Sequence, residues 1–345
     1  MNARQLWFTQ PEQLEIRTQP LPQPAAGQLR VASRCSAISV GTEMLVYRGQ
    51  LPTDIAVDAT LAALQQQPGY PMPYGYACVG AVEQVGVGVD AAWLGRRVFA
   101  FQPHASHFIT TPEQVMPIPE DISDAGAVFL ANMETAVNFV LDGKPMLGER
   151  VIVLGQGIVG LLLTKILARY PLAQLYALDA LAERRLAAQS VAPVVYDPGS
   201  ESDMALLKQQ LNLPIQLQAT AGAGADLIYE VTGAPDALNK AIDLCSYSGR
   251  IVIGSWYGNK TSHLQLGGAA HRNRLQLISS QVSTIAPELS GRWDKARRFE
   301  SAWAMIRALQ PEQLITHQVE LSHASTLYQL LAAQPEKVLQ AIITY

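Results

Sequence analysis

Cysteine is scarce in this chain: Cys35, Cys78 and Cys245 are odd in number, far apart and without a Cys-x-x-Cys pair. That excludes a disulfide framework and a cysteine-rich zinc knuckle. An excess of basic residues is missing too. The net charge is −4, and the clustered Lys and Arg needed to hold nucleic acid or an anionic membrane are absent. No apolar run reaches the roughly 18 residues of a membrane span, and the opening MNARQLWFTQPEQLEIR lacks the basic start and apolar core of a secretory leader. These absences predict a cytoplasmic protein with neither nucleic acid nor membrane as partner, which leaves a small-molecule substrate open.

What is present is the composition of a compact fold: 345 residues, 49% hydrophobic and 16% charged, enough chain for two domains. Up to about residue 120, short valine-rich alternating runs such as LRVASRCSAISV, ACVGAVEQVG and RRVFAFQ are separated by Gly and Pro, which predicts strands. From Asp121 the runs RVIVLG, QLYALD, PVVYD, ADLIYEVTG and GRIVIGSW alternate with helical stretches. That alternation predicts βαβ units and a parallel sheet. The expected plan is α/β: a doubly wound domain over 122–266, inserted into a β-rich domain formed by 1–121 and 267–345. Residues 52–76 have the apolar spacing of an amphipathic helix, either a lid over the substrate or a helix packed on the β domain.

The middle of the chain reads VIVLGQGIVG. Gly155, Gly157 and Gly160 form G-x-G-x-x-G between an apolar strand and a helical run, where the glycines serve a tight turn, close approach to a pyrophosphate, and helix-to-strand packing. The pyrophosphate would rest on amides at a helix N-terminus, contributed by Gly155, Gln156, Gly157, Ile158, Val159 and Gly160. Asp179 ends the next strand, 19 residues after Gly160, where a carboxylate grips the adenosine ribose and repels a 2′-phosphate. This favours NAD(H) over NADP(H). Arg184 and Arg185 follow, as cofactor contacts or as part of an exposed helix face.

With these motifs on the page, the chain resembles the medium-chain dehydrogenase/reductase superfamily, in its alcohol/threonine dehydrogenase-like branch. SAISVGTEMLVYRG is similar to bacteriochlorophyllide dehydrogenase-like members. The resemblance implies a GroES-like catalytic domain around a Rossmann domain, Thr135 against the nicotinamide, Thr232 and Gly233 along the cofactor, and a homodimer through the Rossmann domains near IVIGSWYG and LQLISSQV. Zinc members carry a Cys before Gly-Thr/Ser-Asp, a Gly-His-Glu, and a later Cys or Glu. Here VGTE puts Val40 at the first ligand, GYA puts Tyr76 and Ala77 in place of His and Glu, and FLANMETAVNF puts Ala131 at the third. Val and Ala offer zinc no donor, and the cysteine lobe of a structural zinc is missing. No zinc is expected, although His104, His107, Glu43 and Glu134 are donors from which a displaced site could be built.

Without a Lewis acid, hydroxyl or titratable groups must polarise the substrate oxygen and move the proton. Tyr76, at the vacated histidine position, is the first candidate; it could equally plug the emptied pocket. Thr42 resembles the family's proton-relaying hydroxyl, and Glu43 stands for a carboxylate that supports the metal ligands or acts as a structural acceptor. His104 and His107 line the substrate site or sit in a surface loop. Glu134 faces the cleft or caps a helix. Arg292, Arg297 and Arg298 hold an anionic substrate or form a solvated face. Three functions remain open: an NAD(P)(H)-dependent, zinc-independent alcohol/carbonyl oxidoreductase, an NADPH-dependent quinone or enone reductase, and a non-catalytic dinucleotide-binding redox sensor.

Overall fold

The computed structural model describes residues 1–52, 69–213 and 223–345. Most of the predicted helix within 52–76 lies outside the described residues. The chain divides into two units, Met1–Ala131 with Ile306–Tyr345, and Asn132–Met305.

The first unit is mainly antiparallel. Leu29–Ile38 pairs with Cys78–Val85, which continues through Arg97–Ala100 to Val115–Pro117; on its other edge lie Gln340–Thr344 and then Ile315–Glu320. His107–Thr110 also pairs with Leu29–Ile38. A second sheet orders Gln13–Pro20, Asn2–Gln10 and Met72–Pro73. The alternating runs in the sequence become these strands, because period-two patterning places Leu29, Val31, Cys78, Val82 and Val98 on one shared core face. A second core gathers Leu6, Phe8, Ile38, Val46, Leu327, Tyr328 and Ile343. Fully burying each such aliphatic side chain contributes about 1.5–3 kcal/mol.

The second unit carries a six-stranded parallel sheet, in the order Val194–Tyr196, Gln174–Leu178, Arg150–Leu154, Ala225–Glu230, Cys245–Ile253, Gln276–Ser279. Val151, Ile152 and Val153 are all fully buried, as expected for a central strand covered on both faces. The strand order reverses direction at Arg150–Leu154, and ligands bind beyond the carboxyl ends of strands at such a point.

Two boundaries differ from the sequence-based plan. The second unit begins at Asn132 and extends to Met305, rather than covering 122–266. Segment 267–305 remains with the parallel sheet because Gln276–Ser279 pairs with Cys245–Ile253 and because Arg298 is buried against Glu134. Among the described residues, no helix is long and apolar enough to cross a membrane.

Candidate functional site

The glycine motif forms the expected strand–turn–helix. Gly155 has φ +98°, and a Cβ there would lie 2.8 Å from the Val231 carbonyl oxygen. Gly160 is tighter still, since its Cβ would lie 1.9 Å from the Gly155 carbonyl oxygen. Only glycine lets the helix Ile158–Leu167 start so close to the turn. Gly157 is the N-cap of that helix and brings no side chain to its amide end, leaving a positive terminus suited to an anion. Gly157 and Val159 retain partial exposure, while Gln156 and Ile158 are buried. The Gln156 side chain turns inward, donating to the Val153 carbonyl at 3.2 Å and accepting from Thr164 at 3.0 Å. The cradle is therefore backbone, and it fits a dinucleotide pyrophosphate.

Asp179 closes one side of this cradle. Its Oδ2 accepts the Gln156 N–H at 2.7 Å, and its Oδ1 accepts the Leu181 N–H at 2.8 Å. Arg184 reaches within 3.9 Å of Oδ2, and its Nε is buried without a partner. Arg185 is committed elsewhere: it pairs with Asp197 at 3.0 Å and donates to the Asp179 and Ala180 carbonyls. Thr232 is exposed and Gly233 half-buried, at the carboxyl end of the neighbouring strand Ala225–Glu230. Thr135 is half-buried on the helix Leu130–Gly143.

In the first unit, Tyr76 is half-buried and its hydroxyl donates to Ser39 Oγ, with Thr42 Oγ1 at 3.5 Å. Three hydroxyls thus converge beside Val40. Behind them Glu43 is fully buried at the start of the helix Glu43–Tyr47. Its Oε1 accepts the Ser39 N–H at 2.8 Å, while Oε2 lies 2.9 Å from His104 Nε2 and accepts from the Tyr328 hydroxyl. His104 Nδ1 lies 2.7 Å from Ser36 Oγ, which in turn lies 2.7 Å from the Tyr345 hydroxyl. One tautomer satisfies the row, with Nε2–H donating to the carboxylate and Nδ1 accepting from Ser36. Gly75, at φ +123°, makes room for the ring, since a Cβ there would lie 2.8 Å from His104 Cδ2.

The other predicted residues are placed differently. His104 is no surface-loop residue; it is entirely buried. His107 is half-buried on the strand His107–Thr110, 3.1 Å from Ser106 Oγ and 3.9 Å from Glu83. Burial lowers its pKa, with Glu83 opposing and Arg30 and Arg4 adding to the fall. Glu134 does not open to solvent: Arg298 holds it at 2.6 Å and 3.0 Å. Arg298 is itself fully buried, donating also to Asn138 and to the Thr284 and Val282 carbonyls. It is no solvated residue and has no side chain to spare for an anionic substrate. Arg297 stacks on Trp293, 4.2 Å from the ring centre.

Each donor proposed for a displaced metal site has a partner of its own. Glu43 and His104 bond to each other, His107 faces Glu83, and Glu134 belongs to Arg298. Among the described residues no group of three or more His, Cys, Asp or Glu could hold a metal ion. The three thiols are buried, which pushes each up to about 12, so none is a ready thiolate. Val40, Tyr76 and Ala131 supply no ligand set for zinc. Ser39, Tyr328, Ser36 and Tyr345 were not singled out from sequence, although Ser36 and Ser39 lie within the quoted SAISVGTE. Apart from the Ser39–Glu43 contact, their partners are remote in the chain, and no local pattern marks them.

No family model matches the chain. The starvation-sensing protein RspB of Escherichia coli K12 is 24% identical, covering 99% of this chain and 99% of its own. The (R,R)-butanediol dehydrogenase of Bacillus subtilis is also 24% identical, covering 79% of this chain and 82% of its own. A solved rspB short chain alcohol dehydrogenase from E. coli CFT073, in complex with NADH, superposes with a TM-score of 0.78 at 21% identity, over 100% of this chain and 99% of that one. Together with the glycine turn, its acidic partner and the parallel sheet around them, these likenesses show that the chain has the fold of the dehydrogenases it resembles.

Proposed function

We propose that this chain, an NAD(P)-dependent oxidoreductase, interconverts an alcohol and a carbonyl compound with NAD(H) and without zinc. The observation that carries the reading is the Tyr76 hydroxyl at a vacated ligand position, set against Ser39 and Thr42.

Gly155–Gly160 and Asp179 would hold the dinucleotide, with Arg184, Thr135, Thr232 and Gly233 along it; when bound, it supplies or accepts hydride. Asp179 favours NAD(H), because its carboxylate would face a 2′-phosphate, and Arg185 is engaged by Asp197. The chain's own work is on the proton. Tyr76 Oη turns its one proton from Ser39 Oγ to the substrate oxygen, accepting in exchange from the Ser39 hydroxyl, and stabilises negative charge as it develops there. Thr42 and Ser39 hold that phenol in place. Glu43 fixes Ser39 through its main-chain N–H, and His104 and Tyr328 fix Glu43. His107 and Glu134 have no step in this scheme. The reading includes a homodimer through the edge strand Gln276–Ser279, where Leu277 is exposed, and light scattering at micromolar protein tests it.

The test of the reaction is turnover of NADH or NAD with a panel of alcohols, carbonyls, quinones and enones, in protein stripped of metal by chelation. Carbonyl or alcohol turnover that Tyr76→Phe lowers by roughly a hundredfold or more supports the reading. Turnover of enones alone with NADPH points to the reductase, and cofactor binding with no turnover points to the sensor.

A further inference from the structure

The turn that follows strand Ala225–Glu230 is fastened by a loop remote in sequence. Glu230 is fully buried. Its Oε1 accepts the Thr232 N–H at 2.8 Å and the Thr232 hydroxyl, and its Oε2 accepts the Tyr257 hydroxyl at 2.5 Å. No Lys, Arg or His among the described residues pairs with it, so this carboxylate depends on neutral donors. Gly233 is held at both ends: its N–H donates to Ser255 Oγ at 2.8 Å, and its carbonyl accepts from Lys260 Nζ at 2.8 Å. Gly254 N–H donates to the Glu230 carbonyl at 2.9 Å. One seven-residue stretch, 254–260, therefore grips the turn 230–233 at four points.

That turn backs the glycine cradle without a gap. A Cβ on Gly155 would lie 2.8 Å from the Val231 carbonyl oxygen and 2.9 Å from the Thr232 nitrogen, and one on Gly160 would lie 3.3 Å from Val231 Cγ2. A shift of residues 231–233 must therefore displace Gly155 or open a void behind it. Burial, and then the Glu230 carboxylate, push the Tyr257 phenol well above its ordinary range, so it stays a donor.

We infer that residues 254–260 are a latch that preorganises the glycine cradle, with Tyr257 and Lys260 as positioning residues for the dinucleotide. The inference rests on the dinucleotide reading above. Removing the Tyr257 hydroxyl leaves a buried carboxylate oxygen short of a donor, and the turn relaxes to find another. The cradle then has to be ordered by the ligand, which lowers affinity without loss of any direct contact.

The probes are NADH and ADP-ribose, titrated by calorimetry into the full chain and into Tyr257→Phe, Lys260→Ala and Lys260→Arg, with the melting temperature of each ligand-free protein recorded. The expected result is that Tyr257→Phe weakens both probes by the same factor, roughly tenfold. Lys260→Ala weakens both several-fold, and Lys260→Arg restores them. Lys260 is exposed, so its variants retain the fold. Wild-type affinity in both Tyr257→Phe and Lys260→Ala overturns the latch, as does weakening of NADH alone, which would place the effect at the nicotinamide. A drop in melting temperature with unchanged affinity likewise overturns it. If the unaltered chain binds neither probe, the dinucleotide reading itself fails.

Discussion

His104 Nε2 and Glu43 Oε2 lie 2.9 Å apart with both side chains fully buried, behind the Tyr76, Ser39 and Thr42 hydroxyls. Sequence reading offers the two residues separately, one as a surface or cleft histidine and the other as a support for an absent metal. The structure makes them partners across 61 residues.

Removing the histidine leaves a buried carboxylate with one donor fewer. His104→Phe keeps most of the ring volume, so the loss is chiefly electrostatic. It is expected to lower unfolding stability by about 3 kcal/mol, read from the urea midpoint at constant m-value.

Gly160→Ala places a methyl group 1.9 Å from the Gly155 carbonyl oxygen. Helix and turn must separate, at about 1–3 kcal/mol of stability. NADH fluorescence titration is expected to show dinucleotide affinity falling as well, since the turn and helix N-terminus form one cradle. Unchanged affinity would remove the cradle from the account.

Asp179→Ser takes away the carboxylate that would face a 2′-phosphate. The ratio of NADH to NADPH affinity is expected to fall by roughly ten- to a hundredfold. Parallel titrations with the two cofactors measure it, and an unchanged ratio would exclude Asp179 as the discriminating group.

His107 gives a pH dependence of definite sign. Burial holds its folded-state pKa below the ordinary 6.5, so the folded protein disfavours the charged ring. Its contribution to stability is present above pH 6.5 and is lost as pH falls through that value toward the lower folded-state pKa. Urea unfolding at pH 7.5 and 5.5 is expected to show a smaller acid loss in His107→Gln than in the unaltered chain.

Local chemistry explains what was legible. The run from Arg150 to Asp179 reads correctly as strand, glycine turn, helix, strand and acid, because each signal lies within a few residues of the element it specifies. The nonlocal pairings were not legible. Gln276–Ser279 is a short, largely exposed strand that belongs to the parallel sheet only through its register with Arg250–Ile253. Arg298 sits beside exposed charge in KARRFE, and periodicity could not reveal that Glu134, 164 residues away, buries it. Tyr76 was singled out through the family resemblance; its hydrogen bond to Ser39 required the fold.

The central claim is hydride chemistry on NAD(H) without a metal. Its most direct measurement is titration of NADH and NADPH into metal-stripped protein by nicotinamide fluorescence, repeated with one equivalent of zinc and followed by metal analysis after gel filtration. The account predicts tighter binding of NADH than NADPH, the same affinity with zinc present, and no zinc carried through the column. Zinc retained at one per chain, or tighter binding of NADPH, would contradict it.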